Sequence, residues 1–220
     1  MIPIMTWLGK LSQHKAHGTS LAAIIFTALV GAGTYFLHGA VDWKIAAILA
    51  ASAIIFARFG ALYAHSLPEK KLRRAFGLFL SIVSVLVIVK GLIPNTGHPP
   101  GFWVNLLVFL STGAGAGFLA GMMGVGGGIV MVPPMVLLAG MSQHLAQGTS
   151  LLAMVPVSIS GALTHHRLGN VQTDLVWGLL VGAGIGSYLG GTAANLLPEL
   201  YLKLIFSGVL ILMGLKYIRS

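Results

Sequence analysis

The sequence predicts an all-α integral membrane protein of about seven transmembrane helices, arranged as two repeats with short half-helices. Two observations carry this reading. Of 220 residues, 56% are hydrophobic and 8% charged, and the mean hydropathy is +0.92; a water-facing domain needs about a quarter of its residues charged. In addition, Leu11-Ser-Gln-His-Lys-Ala-His-Gly-Thr-Ser-Leu21 returns as Met141-Ser-Gln-His-Leu-Ala-Gln-Gly-Thr-Ser-Leu151, a shift of 130 residues. In the same register the halves share Gly31/Gly161, Thr34/Thr164, Gly39/Gly169, Gly60/Gly190 and Leu67-Pro-Glu69/Leu197-Pro-Glu199. Self-similarity at one fixed offset marks a duplicated structural unit. In membranes, such duplications build transporters with the substrate between the halves.

Apolar runs of about 20 residues can cross about 30 Å of hydrocarbon as helices. They fall near 18–38, 43–65, 72–93, 102–123, 146–167, 173–195 and 199–218. Turn chemistry separates them at His38-Gly-Ala-Val-Asp42, Leu67-Pro-Glu-Lys-Lys71, Leu168-Gly-Asn170 and Leu197-Pro-Glu199. The Pro- and Gly-rich segment 95–101 divides a first repeat, 1–94, from a second, 102–220. Met1–Gly9 and Ile129–Gly140 are apolar but too short to cross, and each contains proline. They read as half-helices reaching the middle of the membrane, where irregular backbone is tolerated only against protein or water.

The net charge is +9, from thirteen Lys and Arg against Asp42, Glu69, Asp174 and Glu199. The cations sit at the ends of apolar runs, as in loops facing anionic lipid, and this argues against nucleic acid as a partner. Lys70, Lys71, Arg73 and Arg74, with Lys10 and Lys15, place those turns in the cytoplasm. If the second half is inverted relative to the first, Arg167, Lys216 and Arg219 join them; a parallel arrangement would send all three outside. The charge rule therefore favours inversion. Met1-Ile-Pro-Ile-Met5 aligns with Met131-Val-Pro-Pro-Met135, so the first repeat lacks its first span, the counterpart of Phe102 to Val130. Either about 30 upstream residues are missing or the repeats are unequal, and the former is the expectation. The chain has no cysteine, which removes thiolate chemistry and Cys-bound metal, and no cleavable signal is evident.

Three groups of residues could carry chemistry. Gly126-Gly127-Gly128 would cost a helix about 1 kcal/mol at each glycine, so they mark an unwound point whose bare amides can face an anion. Gly113, Gly117 and Gly121, at spacings of four, instead suit close helix packing. Gly18-Thr19-Ser20 and Gly148-Thr149-Ser150 read as starts of helices, with hydroxyl caps and a dipole of about half a positive charge aimed at a small oxyanion. Before them stand Gln13-His14 and Gln143-His144; the glutamines are donors to substrate oxygen, and His14 and His144 are candidate proton carriers. Arg58 lies inside the apolar run Leu49–Leu62, where an Arg either meets substrate or snorkels to the boundary. His165-His166-Arg167 reads as an interfacial anchor; adjacent helical positions point about 100° apart, a poor metal pair.

These residues resemble the TauE/SafE sulfite exporter family. The resemblance rests on Gly-Val-Gly-Gly-Gly at 124–128 followed by Val-Pro-Pro at 132–134, on Ala146-x-Gly-Thr-Ser-Leu151, and on Gly-Asn-Val at 169–171. It covers 102–220 well, and the first half mainly at Ala16–Leu21 and His38–Asp42. It implies a multi-pass permease of the inner (plasma) membrane, moving a small sulfur-containing anion such as sulfite or an organosulfonate. The expected function is therefore secondary transport by alternating access, with no catalytic residue, metal or cofactor. The lipid bilayer and a small anion are its partners, and a homo-oligomer is left open. The alternatives are a small-anion channel and a membrane-embedded metal-binding or assembly protein using the eight histidines.

Overall fold

The computed structural model describes residues 13–63, 69–92, 101–123, 126–167 and 169–219. Every regular element among them is a helix: α1 (Gln13–Leu37), α2 (Trp43–Tyr63), α3 (Glu69–Leu92), α4 (Phe102–Met123), α5 (Gly128–Leu137), α6 (Gln143–Arg167), α7 (Thr173–Leu196) and α8 (Glu199–Arg219). The expected half-helix Met1–Gly9 and most of the inter-repeat segment 95–101 lie outside the described residues.

All seven expected runs are helical, but only four helices among the described residues are long and apolar enough to cross a membrane. These are Gly18–Leu37 in α1, Trp43–Gly60 in α2, Phe102–Met122 in α4 and Gln143–Arg167 in α6. Shorter apolar helices among the described residues are Leu80–Val89 in α3 and Gly128–Leu137 in α5. The second expected half-helix is present as α5, ten residues long with Pro133 and Pro134 inside it. Each proline removes an amide donor, which suits a helix that runs only this far.

Gly39 and Gly169 close α1 and α6 in the same way. Their φ angles are +68° and +69°, the left-handed conformation that glycine adopts without a Cβ penalty. The Gly39 and Ala40 amides donate to the Phe36 and Tyr35 carbonyls, and the Gly169 and Asn170 amides to those of His166 and His165. Asp42 then caps α2, its Oδ1 accepting from the Lys44 and Ile45 amides at 2.9 and 3.0 Å.

Small residues set the helix contacts, as expected where lipid supplies no hydrophobic drive between helices. Gly113 and Gly117 of α4 press on Leu49, Ser52 and Ala53 of α2, and Gly60 of α2 lies against the Phe118 backbone. This is the packing role expected of the α4 glycines. Gly214 of α8 lies against Gly77 and Ser81 of α3. α1 packs against both α6 and α7, and α2 also packs against α6. α1 and α6 run antiparallel: Gly18, early in α1, meets His165 and Asn170 at the end of α6, while Gly148, early in α6, meets Tyr35 and Ala40 at the end of α1.

Candidate functional site

The repeated Gly-Thr-Ser segments do not start their helices. α6 begins at Gln143, and Ser142 caps it by accepting from the Leu145 amide at 3.3 Å; α1 is already helical at Gln13. Gly18–Ser20 and Gly148–Ser150 therefore lie more than a turn inside, and the expected capping role is corrected on that account. They join the halves crosswise instead. Thr149 Oγ1 accepts from the Asp42 amide, at the head of α2, at 3.0 Å. Thr19 Oγ1 accepts from the Gln172 amide, at the head of α7, also at 3.0 Å. Both threonines are fully buried, and Ser20 and Ser150 nearly so. Gly18 and Gly148 permit the approach: a methyl on Gly18 would fall on the Asn170 carbonyl oxygen, and one on Gly148 on that of Ala40. Nearby, the Tyr35 hydroxyl donates to Gln147 Oε1 at 2.5 Å.

Midway between the two ties lies the glycine turn. Gly126 and Gly127 have φ of +76° and +78°, and α5 starts immediately after them. The Val130 and Met131 amides donate to Gly127 O. Among the described residues the amides of 126–129 have no acceptor. A helix start of this kind is a concentration of unpaired donors with the positive end of a dipole behind it. Ile24 and Met154 flank the turn, each the twelfth residue of a 25-residue helix. A Cβ on Gly126 would lie 2.6 Å from Met154 Cε and 3.2 Å from Ile24 Cγ2, and one on Gly128 would lie 2.5 Å from Met154 Sδ. The flexible thioether thus packs against Gly126 and Gly128 from the α6 side. Two residues on, Pro156 removes an amide from the middle of α6.

The other expected residues stand apart from this turn. The side chains of Gln13 and His14 lie outside the described residues. Gln143 is fully buried at the α6 start, its backbone amide donating to Glu199 Oε1 at 3.2 Å, and neither polar atom of its side chain has a partner among the described residues. His144 Nε2 lies 3.1 Å from the carbonyl oxygens of both Ala194 and Leu197. Both are acceptors only, so this nitrogen holds the proton and closes the end of α7. Arg58 is exposed, five residues before the end of α2, where its stem can snorkel. One residue escaped sequence reasoning altogether. Ser158 is fully buried, one turn beyond Met154, and its hydroxyl has no partner among the described residues. Its repeat counterpart is Ala28, so a search for shared residues passes over it. A groove of about 540 Å³ lined by Phe56, Phe59, Ala114, Gly115 and Phe118 runs along the outer surface of α2 and α4; it is apolar and offers an anion nothing.

The family model for the sulfite exporter TauE/SafE matches residues 1–217. The chain belongs to the TauE/SafE family. Its relatives are described as membrane transporters. "Probable membrane transporter protein YdhB" of Bacillus subtilis (strain 168) is 29% identical over 208 residues, covering 92% of this chain and 84% of the relative. "Probable membrane transporter protein YunE" of the same organism is 27% identical over 240 residues, covering 99% and 88%. "Probable membrane transporter protein MJ0441" of Methanocaldococcus jannaschii is 23% identical over 210 residues, covering 91% and 77%. No solved structure matches this TauE/SafE chain.

Proposed function

We propose that this TauE/SafE protein is a multi-pass secondary transporter of the inner membrane that carries a small oxyanion, sulfite or an organosulfonate, by alternating access. The observation that carries the reading is the set of amides at 126–129 without an acceptor among the described residues, those of Gly126 and Gly127 in buried residues, midway along the crossing of α1 and α6. A buried donor without an acceptor costs about 1–3 kcal/mol, and a ligand oxygen removes that cost. Neutral donors suit an anion that must also leave, and among the described residues no cation is buried. The description of the family as sulfite exporters supports the substrate class.

The repeats 1–94 and 102–220 are read as inverted about this turn, as the antiparallel course of α1 and α6 supports. The Thr19–Gln172 and Thr149–Asp42 ties then sit toward opposite faces of the membrane, the first on the side of Lys70–Arg74. In this reading each tie holds one side closed, and the halves rock by releasing one while keeping the other. Met154 swings aside when substrate enters, and Ser20, Ser150 and Gln143 line the same seam. His144 carries coupled protons on Nδ1, its Nε2 being committed to carbonyls; His14 is its counterpart at the other end. Arg58 acts at the cytoplasmic boundary rather than on substrate.

The test is flux of labelled sulfite, sulfate and acetate in proteoliposomes, with and without a pH gradient. Saturable sulfite flux is the expected result. Flux that never saturates would make the protein a channel, and no movement of any oxyanion would refute the proposal.

A further inference from the structure

We infer that Ser158 is a substrate-binding residue whose hydroxyl takes an oxygen of the transported anion and selects sulfite-like, three-oxygen headgroups over carboxylates. The inference rests on the anion site proposed at the α5 start, and two independent features converge there. The first is the row of acceptor-free amides at 126–129. The second is the behaviour of the Ser158 hydroxyl, which differs from that of its neighbours in the spans.

A helical serine or threonine shielded from water ordinarily donates to the carbonyl three or four residues back. Thr27, Thr34, Ser52, Ser81, Ser84, Ser150 and Thr164 all do so. Ser158 is 0% exposed, yet among the described residues its hydroxyl finds neither that carbonyl nor any other partner. A buried hydroxyl left unpaired costs free energy, which an oxygen of a passing ligand would offset.

Position supplies the partner. Ser158 lies four residues after Met154 and so on the same face of α6. Met154 is the residue whose Sδ and Cε cover Gly128 and Gly126. Side chains on a helix lean toward its N-terminal end, which carries the Ser158 hydroxyl toward Met154 and the turn beneath it. When Met154 moves, the hydroxyl and the bare amides face one space from two sides. All are neutral donors. Sulfite and sulfonates share a pyramidal group of three oxygens: the amides can hold two and Ser158 the third. A carboxylate has two oxygens, which the amides alone can hold.

The test compares Ser158→Ala, Ser158→Thr and Ser158→Cys with Ser207→Ala, the latter a buried serine of α8 that also lacks a partner. Labelled sulfite uptake into proteoliposomes is measured with acetate as competitor. Ser158→Ala is expected to raise the KM for sulfite about 10- to 100-fold, the loss of a hydrogen bond to a charged group. Maximal rate and the inhibition constant of acetate stay within about twofold by the same reasoning. Ser158→Thr restores the KM, Ser158→Cys is intermediate, and Ser207→Ala leaves it unchanged. If the alanine variant fails to insert, the order Ser and Thr below Cys decides instead. Sulfite KM values that are equal across the Ser158 variants overturn the inference and leave the transporter standing. Sulfite and acetate shifting together make Ser158 structural, which also overturns it. Absence of oxyanion flux in the unsubstituted protein removes the proposed function, and this inference with it.

Discussion

Gly148→Ala tests the crosswise ties at their tightest point. The added methyl would lie 2.7 Å from Tyr35 Cβ and 3.0 Å from Val41 Cγ2, besides meeting the Ala40 carbonyl. Carbon atoms prefer about 3.5–4.0 Å, so α6 must retreat from the end of α1 by roughly 1 Å. Neither the Ala40 backbone nor a Cβ can rotate away as the tip of a long side chain could. Overpacking of this kind costs about 1–3 kcal/mol. Retreat also stretches the Thr149–Asp42 hydrogen bond, worth about 1 kcal/mol more, for a total of about 2–4 kcal/mol. Gly33→Ala is the opposite case: it lies in the same helix system with nothing within 4 Å of its Cβ position. There alanine should stabilise by up to about 1 kcal/mol, since it has less freedom to lose than glycine. Detergent-purified variants are heated and the surviving monodisperse fraction is read by size exclusion. For a chain of this length, 1 kcal/mol moves a midpoint by roughly 2–4 °C, so Gly148→Ala should melt roughly 4–16 °C lower and Gly33→Ala no lower than the parent. Equal midpoints for the two variants would falsify the close approach on which the tie depends.

Three further outcomes follow from the same geometry. Thr149→Val and Thr19→Val each leave a turn amide without its acceptor and should cost about 1–3 kcal/mol, nearly additively for sites so far apart, while Thr→Ser is close to silent; melting midpoints check this, and a serine variant as weak as valine would show that the hydroxyl is not what matters. Gly127→Ala forces a Cβ into φ +78° and 3.1 Å from the Ala116 carbonyl oxygen, a penalty of about 1–2 kcal/mol, and Gly127→Leu should abolish sulfite flux with membrane insertion intact; full flux in the leucine variant removes the turn from the site. His144→Gln keeps a donor for the Ala194 and Leu197 carbonyls but cannot titrate, so flux should persist and lose its response to a pH gradient; an unchanged response excludes His144 as the proton carrier.

The helices were legible because their determinants are local. Apolar runs of fixed length, Gly39 and Gly169 at helix ends, Asp42 ahead of Trp43 and the paired prolines of α5 each act within a few residues. The α4 glycines were legible too, since their four-residue spacing is itself a packing signal. What sequence misread was the Gly-Thr-Ser pair. Small hydroxyl residues after a polar segment look like a cap, and nothing local reveals that Ser142 already fills that role or that Thr149 is bonded 107 residues away. Arg58 was ambiguous for a related reason: its run is apolar all round, and only the fold decides which face meets protein.

Under the proposed inversion, the duplicated residues become crosswise ties. When a segment is copied and turned over, a residue near the start of one copy comes to lie at the end of the other, and whatever it binds there it binds twice. Gly18 and Thr19 meet Asn170 and Gln172; Gly148 and Thr149 meet Ala40 and Asp42. Such pairs suit a rocking joint, because releasing one leaves an equal one intact. A substrate on the axis faces the opposite constraint. The proposed substrate is a single pyramidal anion with no two-fold symmetry, so residues that grip it would gain from differing between the halves. Ile24 opposite Met154, Ala28 opposite Ser158 and Phe26 opposite Pro156 are such differences, clustered within one turn at the crossing. In the proposed mechanism, residues shared between the repeats therefore serve the joint, and the unshared Met154 and Ser158 serve the cargo.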